Sequence, residues 1–282
     1  MSESVAVPRY GVKEQVPVGD TIDRAAESLN LLGYAFVDGG YSDKELDQFA
    51  EHFDLAHASA IEKHGGLERL KEIDEHNTIR ALLAVDRLFL DLACNANVLD
   101  LCDRILGDYY ILNQQNGIIN PPNRSRYNQG LYHRDLPYQH FVLTRPIAIN
   151  ALFCIDEFTL ENGATKVVPG SHKQEAFPSD LSVTALEQVA TAPRGSFIVL
   201  DCMTYHSGGI NQSTRPRRAV NNVYSLPIVK QQINLPSVLD ESYAGNLKVA
   251  RLLNFGNSPA RSVEDYYDYR RQKIADSEQT NA

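Results

Sequence analysis

Residues 131–135 read Leu131-Tyr132-His133-Arg134-Asp135, and this short stretch decides how the rest of the sequence is interpreted. In an extended strand, side chains two residues apart lie on the same face, so His133 and Asp135 point together while Arg134 points away. An imidazole and a carboxylate, completed by a distant second histidine, form the ligand set that holds non-heme Fe(II) and leaves coordination positions open. The stretch therefore predicts two of three iron ligands.

The third ligand has three candidates, His140, His172 and His206, because the earlier histidines fall in a region with helical patterning. His206 is favoured by its surroundings, since it follows the apolar strand 197–200 and precedes several arginines. It lies 71 residues after Asp135, which leaves room for several strands before the chain returns to the metal.

The middle of the chain has the composition of short β-strands. Segments rich in β-branched and aromatic residues are separated by Pro, Gly, Asn and Ser, a spacing typical of an antiparallel barrel or jelly roll. These segments are 109–120, 147–155, 165–168, 196–200 and 218–226.

Apolar residues recur at helical spacing on both sides of this β region. They predict an N-terminal helical region over 20–107 and C-terminal helices over 236–276, including a helix over 238–253. Helices that flank strands favour one elaborated β domain over 20–282, preceded by a polar leader over 1–19.

Charge and composition exclude several classes of partner. The net charge of −9 provides no basic field for a nucleic-acid backbone, and no apolar run reaches the length of a membrane span. Four cysteines lie far apart without a C-x-x-C pair, which predicts free thiols. We therefore expect a cytoplasmic protein, and a homo-oligomer is the assembly that general frequencies favour.

Three segments, taken in order, resemble the phytanoyl-CoA dioxygenase family, a branch of the Fe(II)/2-oxoglutarate oxygenases. They are His133-Arg134-Asp135, the N-G-x-x-x-x-x-P-G-S-H pattern over 162–172, and the segment 206–218. The similarity covers roughly residues 20–230 and is strongest over 131–220. The ordered combination is far more specific than an H-x-D motif alone.

The resemblance implies a mainly β fold with flanking α-helices, built on a double-stranded β-helix (jelly-roll) core. Its mouth would hold Fe(II) through His133, Asp135 and His206, with 2-oxoglutarate and O2 as co-substrates. The family's arginine for the distal carboxylate of 2-oxoglutarate lies eleven residues after the distal histidine, at Arg217. A planar guanidinium suits a carboxylate because it donates two parallel hydrogen bonds. Arg218 would then face outward.

Further polar groups are candidates for contacts with 2-oxoglutarate. Many family members carry lysine in the strand before the H-x-D motif, where this chain has Asn120, which can hydrogen-bond but brings no charge. The complete set of additional candidates is Ser213, Gln115, Asn120, Asn150 and Thr165.

Substrate contacts are expected near the mouth of the barrel, from Tyr127, Tyr132, Arg134, Tyr138 and His140. The polar loop 123–130 resembles a lid in its composition and position. Arg124, Arg126 and Arg134 could attract an acidic substrate, or they could simply balance an acidic surface.

The resemblance implies an enzyme that hydroxylates or otherwise oxidises a small molecule while 2-oxoglutarate and O2 become succinate and CO2. Asp135 argues against halogenation, because related halogenases carry Ala or Gly at that position. Two alternatives remain open: a zinc-dependent hydrolase with the same ligands, and a non-catalytic jelly-roll protein that binds a small molecule. The hydrolase gives no role to Arg217, and the binding protein gives no reason to keep the three ligands.

Overall fold

The computed structural model describes residues 7–125, 127–136, 138–257 and 259–280, with the backbone alone for 276–280. Contacts divide the chain into one unit that ends at Ile233 and a second that begins at Asn234. In the predicted leader, the described residues 7–19 form neither helix nor strand. No helix within the described ranges is long and apolar enough to cross a membrane.

Helices flank a central run of strands, as predicted. The helices are α1 (Thr21–Leu32), α2 (Asp43–Lys63), α3 (Leu67–Glu72), α4 (Leu82–Val85), α5 (Leu90–Ala93), α6 (Ala96–Leu106), α7 (Asp180–Leu186), α8 (Leu235–Val238), α9 (Leu247–Leu252) and α10 (Val263–Thr280). The strands are β1 (Tyr34–Asp38), β2 (Thr78–Arg80), β3 (Ile111–Asn120), β4 (Ala148–Cys154), β5 (Thr165–Val167), β6 (Gln188–Ala190), β7 (Ser196–Asp201), β8 (His206–Gly208) and β9 (Arg217–Ser225).

The strands form two antiparallel sheets. The larger sheet has the order β1-β7-β4-β9-β3-β2, and the smaller has the order β6-β5-β8. An isolated bridge between His133 and His206 pairs the chain before β4 with β8. Two antiparallel sheets with strands that cross between them are the architecture of a jelly roll, so the predicted fold class is confirmed.

Local sequence signals fix the first elements. Asp20 caps α1 through its side chain, and Gly33 ends the helix in the left-handed conformation with φ 85°, which costs glycine little. Ser42 and Glu45 form a reciprocal capping box at the start of α2. These signals place β1 at the edge of the larger sheet, against β7.

Apolar side chains from both sheets fill the space between them, because alternate residues of each strand point inward. This inner core consists of Ile118, Cys154, Phe158, Ala164, Val167, Ala190, Ala192, Ile198, Leu200 and Ala219. The opposite face of the larger sheet is covered by helices, and the aromatic rings of Phe49 and Phe153 meet there at 5.6 Å. The larger sheet is therefore buried on both faces.

The C-terminal region predicted to be helical, 236–276, begins with short elements rather than one long helix. It contains α8, a 3-10 helix over Glu241–Ala244, and α9. The side chain of Asp240 accepts from Ser242 N, and that of Asn246 accepts from Lys248 N and Val249 N, so each starts a new element. Capping side chains thus divide a segment whose apolar spacing alone favours one helix. Because contacts divide the chain between Ile233 and Asn234, the expectation of a single domain over 20–282 stays a prediction.

Gly117 lets α2 approach the larger sheet closely. A Cβ at this position would lie 2.7 Å from Phe53 Cε2 and 3.0 Å from Ile79 Cδ1. We predict that Gly117→Ala destabilises the protein by about 1 to 3 kcal/mol through overpacking, measured by urea unfolding. The same substitution in a Phe53→Leu background should cost less, because the smaller side chain leaves room for the methyl group. Equal costs in the two backgrounds would contradict this packing.

Candidate functional site

A cavity of about 430 Å³ opens between the two sheets and contains all three predicted iron ligands. Its walls come from β2, β3, β4, β5, β7, β8 and β9 and from the segment 127–135. Polar and apolar side chains share the lining, which is the composition of a small-molecule site.

Backbone pairing brings the two histidines together. His133 N donates to His206 O at 2.9 Å, and His206 N donates to His133 O at 3.1 Å. Side chains on directly paired residues lie side by side, and the two imidazole centroids are 4.4 Å apart. Asp135 is held two residues along the same segment because its amide donates to Cys202 O at 2.9 Å.

Hydrogen bonds orient the imidazoles toward a common point. Nδ1 of His133 lies 2.7 Å from Leu131 O, and Nδ1 of His206 lies 2.8 Å from Thr204 O. Because a carbonyl only accepts, each Nδ1 carries the hydrogen and each Nε2 keeps a lone pair. Both Nε2 atoms lie 3.7 Å from Asp135 Oδ1.

The three side chains fit a divalent metal of the first transition row. One ligand atom from each residue lies within 4.8 Å of the other two. Burial lowers the pKa of His206, so the neutral imidazole that a metal requires is favoured. Asn150 donates to Asp135 Oδ2 at 2.9 Å, which leaves Oδ1 directed at the histidines. Two imidazoles and one carboxylate are the donor set typical of non-heme Fe(II).

Arg217 lies in the same cavity as an isolated buried cation. Its side chain is 3% exposed, and its guanidinium carbon lies 3.7 Å from the ring centroid of Phe158. Nε and Nη1 have no hydrogen-bond partner among the described residues, and burial lowers the pKa of the group. A buried charge without a partner is costly, so this position favours an anionic ligand.

Tyr127 and Thr165 accompany Arg217 in the cavity wall. Tyr127 is buried beside Arg217, and burial raises the pKa of its phenol. Its hydroxyl lies against Gly208, where any Cβ would collide with it. Thr165 is buried on β5, opposite Gly208 of β8. These hydroxyls and the guanidinium form a polar end of the cavity.

Arg218 occupies the opposite face of the same strand, as the alternation predicts. It binds Asp156 through Nε at 3.0 Å and Nη2 at 2.7 Å, and it binds Asp54 through Nη1 at 2.8 Å. Adjacent arginines therefore have different environments, one compensated outside the barrel and one uncompensated inside it.

Three of the predicted co-substrate contacts lie away from this cavity. Gln115 faces the helices, where its amide donates to Phe89 O at 2.7 Å and Asn222 Oδ1 at 2.8 Å. Asn120 donates to the carbonyls of Gly163 and Gly209, at 3.2 and 2.9 Å. Ser213 donates to Asn211 Oδ1 at 2.7 Å in a turn outside the barrel. Local hydrogen bonds thus occupy all three side chains, whereas Asn150 and Thr165 do line the cavity.

The predicted substrate contacts also divide. Tyr127, Tyr132 and Arg134 line the cavity, whereas Tyr138 and His140 do not. Tyr138 is 57% exposed, and Nδ1 of His140 lies 3.2 Å from Glu175 O. Arg126, one of the loop arginines considered above, lies outside the described residues.

Arg134 and Tyr132 have structural partners that limit what they can offer a ligand. The Arg134 guanidinium donates through Nη1 and Nη2 to the carbonyls of Ser171, Gln174, Glu175 and Gln139, whereas its Nε has no partner among the described residues. The Tyr132 hydroxyl bonds Glu187, and its ring stacks on Tyr205 at 4.8 Å.

Sequence reasoning missed a group of polar side chains at the other end of the cavity. The strand 111–120 carries Gln114, Gln115 and Asn116 in succession, so polarity alone does not tell which of them faces inward. The two-residue alternation from an inward Arg217 does predict an inward Asn221. The missed lining residues are Arg80, Gln114, Asn116, Asn221 and Gln232.

Curated relatives match both most of the chain and its centre. An uncharacterized protein of Mycobacterium tuberculosis (strain ATCC 25618 / H37Rv) is 29% identical over 254 residues, covering 88% of this chain and 92% of the relative. The iron/alpha-ketoglutarate-dependent dioxygenase penM of Penicillium thymicola is 32% identical over 126 residues, covering 42% of this chain and 38% of that protein.

Solved structures share the fold. The crystal structure of EctD from S. alaskensis with 2-oxoglutarate and 5-hydroxyectoine has a TM-score of 0.61 at 21% identity, covering 74% of this chain and 77% of EctD. The epimerase SnoN in complex with Fe3+, alpha ketoglutarate and nogalamycin RO has a TM-score of 0.56 at 17% identity, covering 80% of this chain and 91% of SnoN.

The family model for phytanoyl-CoA dioxygenase (PhyH) matches residues 29–219. This range contains the paired histidines, Asp135 and the buried Arg217, and it spans both sheets. The chain therefore belongs to the phytanoyl-CoA dioxygenase family.

Proposed function

We propose that this protein is an Fe(II)- and 2-oxoglutarate-dependent dioxygenase that hydroxylates a small molecule. The observation that carries the proposal is the buried guanidinium of Arg217, which has no carboxylate partner among the described residues and leaves Nε and Nη1 without a hydrogen bond, in the cavity of the two-histidine, one-carboxylate cluster. A metal site alone fits several chemistries. A metal site with a separate anchor for an anion fits a co-substrate that has one end at the metal and a carboxylate at the other.

His133, Asp135 and His206 would hold the iron, and Arg217 would hold the distal carboxylate of 2-oxoglutarate. When bound, the iron would activate O2 as the oxidant, and 2-oxoglutarate would supply two of the four electrons as it is converted to succinate and CO2, with the substrate supplying the other two. The residues of the chain bind and orient: Asn150 fixes the Asp135 carboxylate, and the backbone carbonyls fix both imidazoles. The protein thus supplies position and shielding.

Burial of Arg217 gives the anchor its strength. In a water-poor environment an ion pair is stronger than at the surface, and two parallel hydrogen bonds set the orientation of the carboxylate. Tyr127, which neighbours the guanidinium, and Thr165, which lines the same cavity, would offer hydroxyl contacts to the same carboxylate. We assign them that role in place of the distant Ser213.

Hydroxylation is proposed over halogenation because Asp135 keeps its carboxylate in the cluster. Its Oδ1 is directed at both histidines, so the position that a halide would take is filled by a protein ligand. The names of relatives support the class of reaction. The protein penM is named an iron/alpha-ketoglutarate-dependent dioxygenase, and the structure of EctD was solved with 2-oxoglutarate and 5-hydroxyectoine. A zinc hydrolase would leave the Arg217 charge without a use.

The metal cluster is tested by matched histidine variants. We predict that His206→Ala abolishes tight binding of Fe(II) or Mn(II), because it removes one of three ligands, whereas His140→Ala binds as the wild type does. Anaerobic calorimetry of the metal-free protein measures both. Equal affinity of His206→Ala and wild type would remove His206 from the metal site.

The adjacent arginines give a second matched pair. Arg217→Gln should weaken 2-oxoglutarate binding by about 2 to 5 kcal/mol, because a desolvated charge pair is lost. The ligand-free variant should be as stable as the wild type or more so, since an uncompensated buried charge has been removed. Arg218→Gln should keep 2-oxoglutarate affinity and lose stability with its Asp156 and Asp54 contacts.

Calorimetry with 2-oxoglutarate and thermal unfolding measure the two effects. Loss of 2-oxoglutarate affinity in Arg218→Gln but not in Arg217→Gln would show that the anchor is assigned to the wrong arginine.

The reaction itself is tested by succinate release. We predict that the iron-loaded protein slowly converts 2-oxoglutarate to succinate even without substrate, and that the product disappears when O2 is excluded or His133 is replaced by alanine. Chromatographic measurement of succinate against time gives the answer. A folded, iron-loaded protein that binds 2-oxoglutarate yet forms no succinate with any screened substrate would argue against the oxygenase.

A further inference from the structure

The end of the cavity away from Arg217 is lined by four carboxamide side chains. Gln114 and Asn116 lie on β3, Asn221 lies on β9, and Gln232 follows that strand. We call these four residues the carboxamide wall. None of them is used by the iron or by 2-oxoglutarate in the proposed function, so their role is open.

Sheet register brings the carboxamide wall together. Asn116 pairs directly with Asn221 across β3 and β9, and it pairs with Arg80 across β2 and β3. The amide of Asn116 lies 3.1 Å from that of Gln232 and 3.4 Å from that of Gln114. The wall is therefore a connected polar surface rather than scattered side chains.

The wall has hydrogen-bonding capacity left for a ligand. Oδ1 of Asn221 is buried without a partner among the described residues, although it belongs to a cavity-lining side chain. A buried acceptor without a donor loses its hydrogen bond to water, and a ligand hydroxyl or N–H can restore one. The geometry thus favours a ligand that donates at this point.

No uncommitted charge faces the ligand within the described part of the cavity wall. Arg80 is bound by both oxygens of Glu75, at 2.8 and 2.5 Å, so its charge is neutralised locally. The guanidinium of Arg134 contacts the carbonyls of Ser171 and Gln174 and the ring of Phe177, none of which lines the cavity, and Arg217 lies at the co-substrate end. Within the described lining, the carboxamide wall therefore has only neutral side chains and the charge-paired Arg80 beside it.

Apolar side chains complete this part of the cavity. Ile118 on β3, Leu152 on β4 and Leu131 line the cavity together with the carboxamide wall and the metal cluster. A ligand that reaches the metal must therefore present a C–H-rich face as well as a polar edge. The total volume of about 430 Å³, shared with the co-substrate, limits it to a small molecule.

We propose that the substrate is an uncharged small molecule whose polar edge, bearing hydroxyl or amide N–H donors, binds the carboxamide wall. The inference rests on the proposed function only for the identity of the groups at the metal end. Carboxamides both donate and accept, so they match neutral hydroxyl and amide groups, and they offer no charge to an anion or a cation.

Fragment binding tests this preference without turnover. The probes are cyclohexanediol, cyclohexanecarboxamide, cyclohexanecarboxylate and cyclohexylmethylammonium, which share one ring and differ in charge. Ligand-observed NMR measures their affinities for the protein alone and for the protein loaded with redox-inert Zn(II) and 2-oxoglutarate. The variants are Asn221→Leu, Gln232→Leu and, as a control, Gln48→Leu at an exposed amide on α2.

The neutral diol and carboxamide should bind more tightly than the carboxylate and the ammonium. Asn221→Leu and Gln232→Leu should each weaken the neutral probes by about two- to tenfold, the effect of one lost hydrogen bond, and Gln48→Leu should change nothing. Glu75→Gln should strengthen binding of the cyclohexanecarboxylate probe, because Arg80 loses its carboxylate partner.

The proposal would be overturned if a charged probe bound the wild type most tightly, or if none of the four probes bound. It would also be overturned if both wall variants bound the neutral probes as tightly as the wild type does. Thermal stabilisation by Zn(II) and 2-oxoglutarate shows that each variant is folded. If Zn(II) and 2-oxoglutarate did not stabilise the wild type, the proposed function would be refuted. Fragment binding to the protein alone would still test the proposed role of the carboxamide wall.

Discussion

The reciprocal backbone hydrogen bonds between His133 and His206 are the constraint on which the site depends. They join a segment before β4 to β8, and in doing so they place two imidazoles from distant parts of the sequence side by side. Asp135 follows by strand alternation, and Asn150 and two carbonyls orient the ligands. The jelly roll therefore builds the metal cluster from pairing register, which is a property of the backbone, and the side chains need little further adjustment.

The second organising feature is the contrast between Arg217 and Arg218. Adjacent residues of one strand point to opposite faces, so one guanidinium is compensated by Asp156 and Asp54 while the other is buried without a carboxylate. Burying an unpaired charge lowers stability, and a protein that does so can gain the cost back when an anion binds. The same cavity thus contains a buried cation, the metal cluster and the neutral carboxamide wall.

Much of this arrangement could be predicted from the sequence, because it depends on short-range patterns. The shared face of His133 and Asp135 and the opposite faces of Arg217 and Arg218 follow from the two-residue period of a strand. The choice of Arg217 itself depended on the family resemblance, and that of His206 on the apolar strand before it. Prediction failed where four polar residues follow one another: in Asn113-Gln114-Gln115-Asn116 every position is polar, and a register shift between Leu112 and Gln114 resets which side faces inward. The structure also places Asn120 and Ser213 outside the cavity lining, Asn120 through carbonyl partners far along the chain and Ser213 through a turn with Asn211.

An anaerobic titration of the metal-free protein with Fe(II) and then 2-oxoglutarate tests the central claim, that the triad and Arg217 form one composite site. The account predicts that a visible metal-to-ligand charge-transfer band appears only when both are present. The band should saturate at higher 2-oxoglutarate concentration in Arg217→Gln than in Arg218→Gln. A folded wild-type protein that binds Fe(II) but develops no band with 2-oxoglutarate would contradict the account.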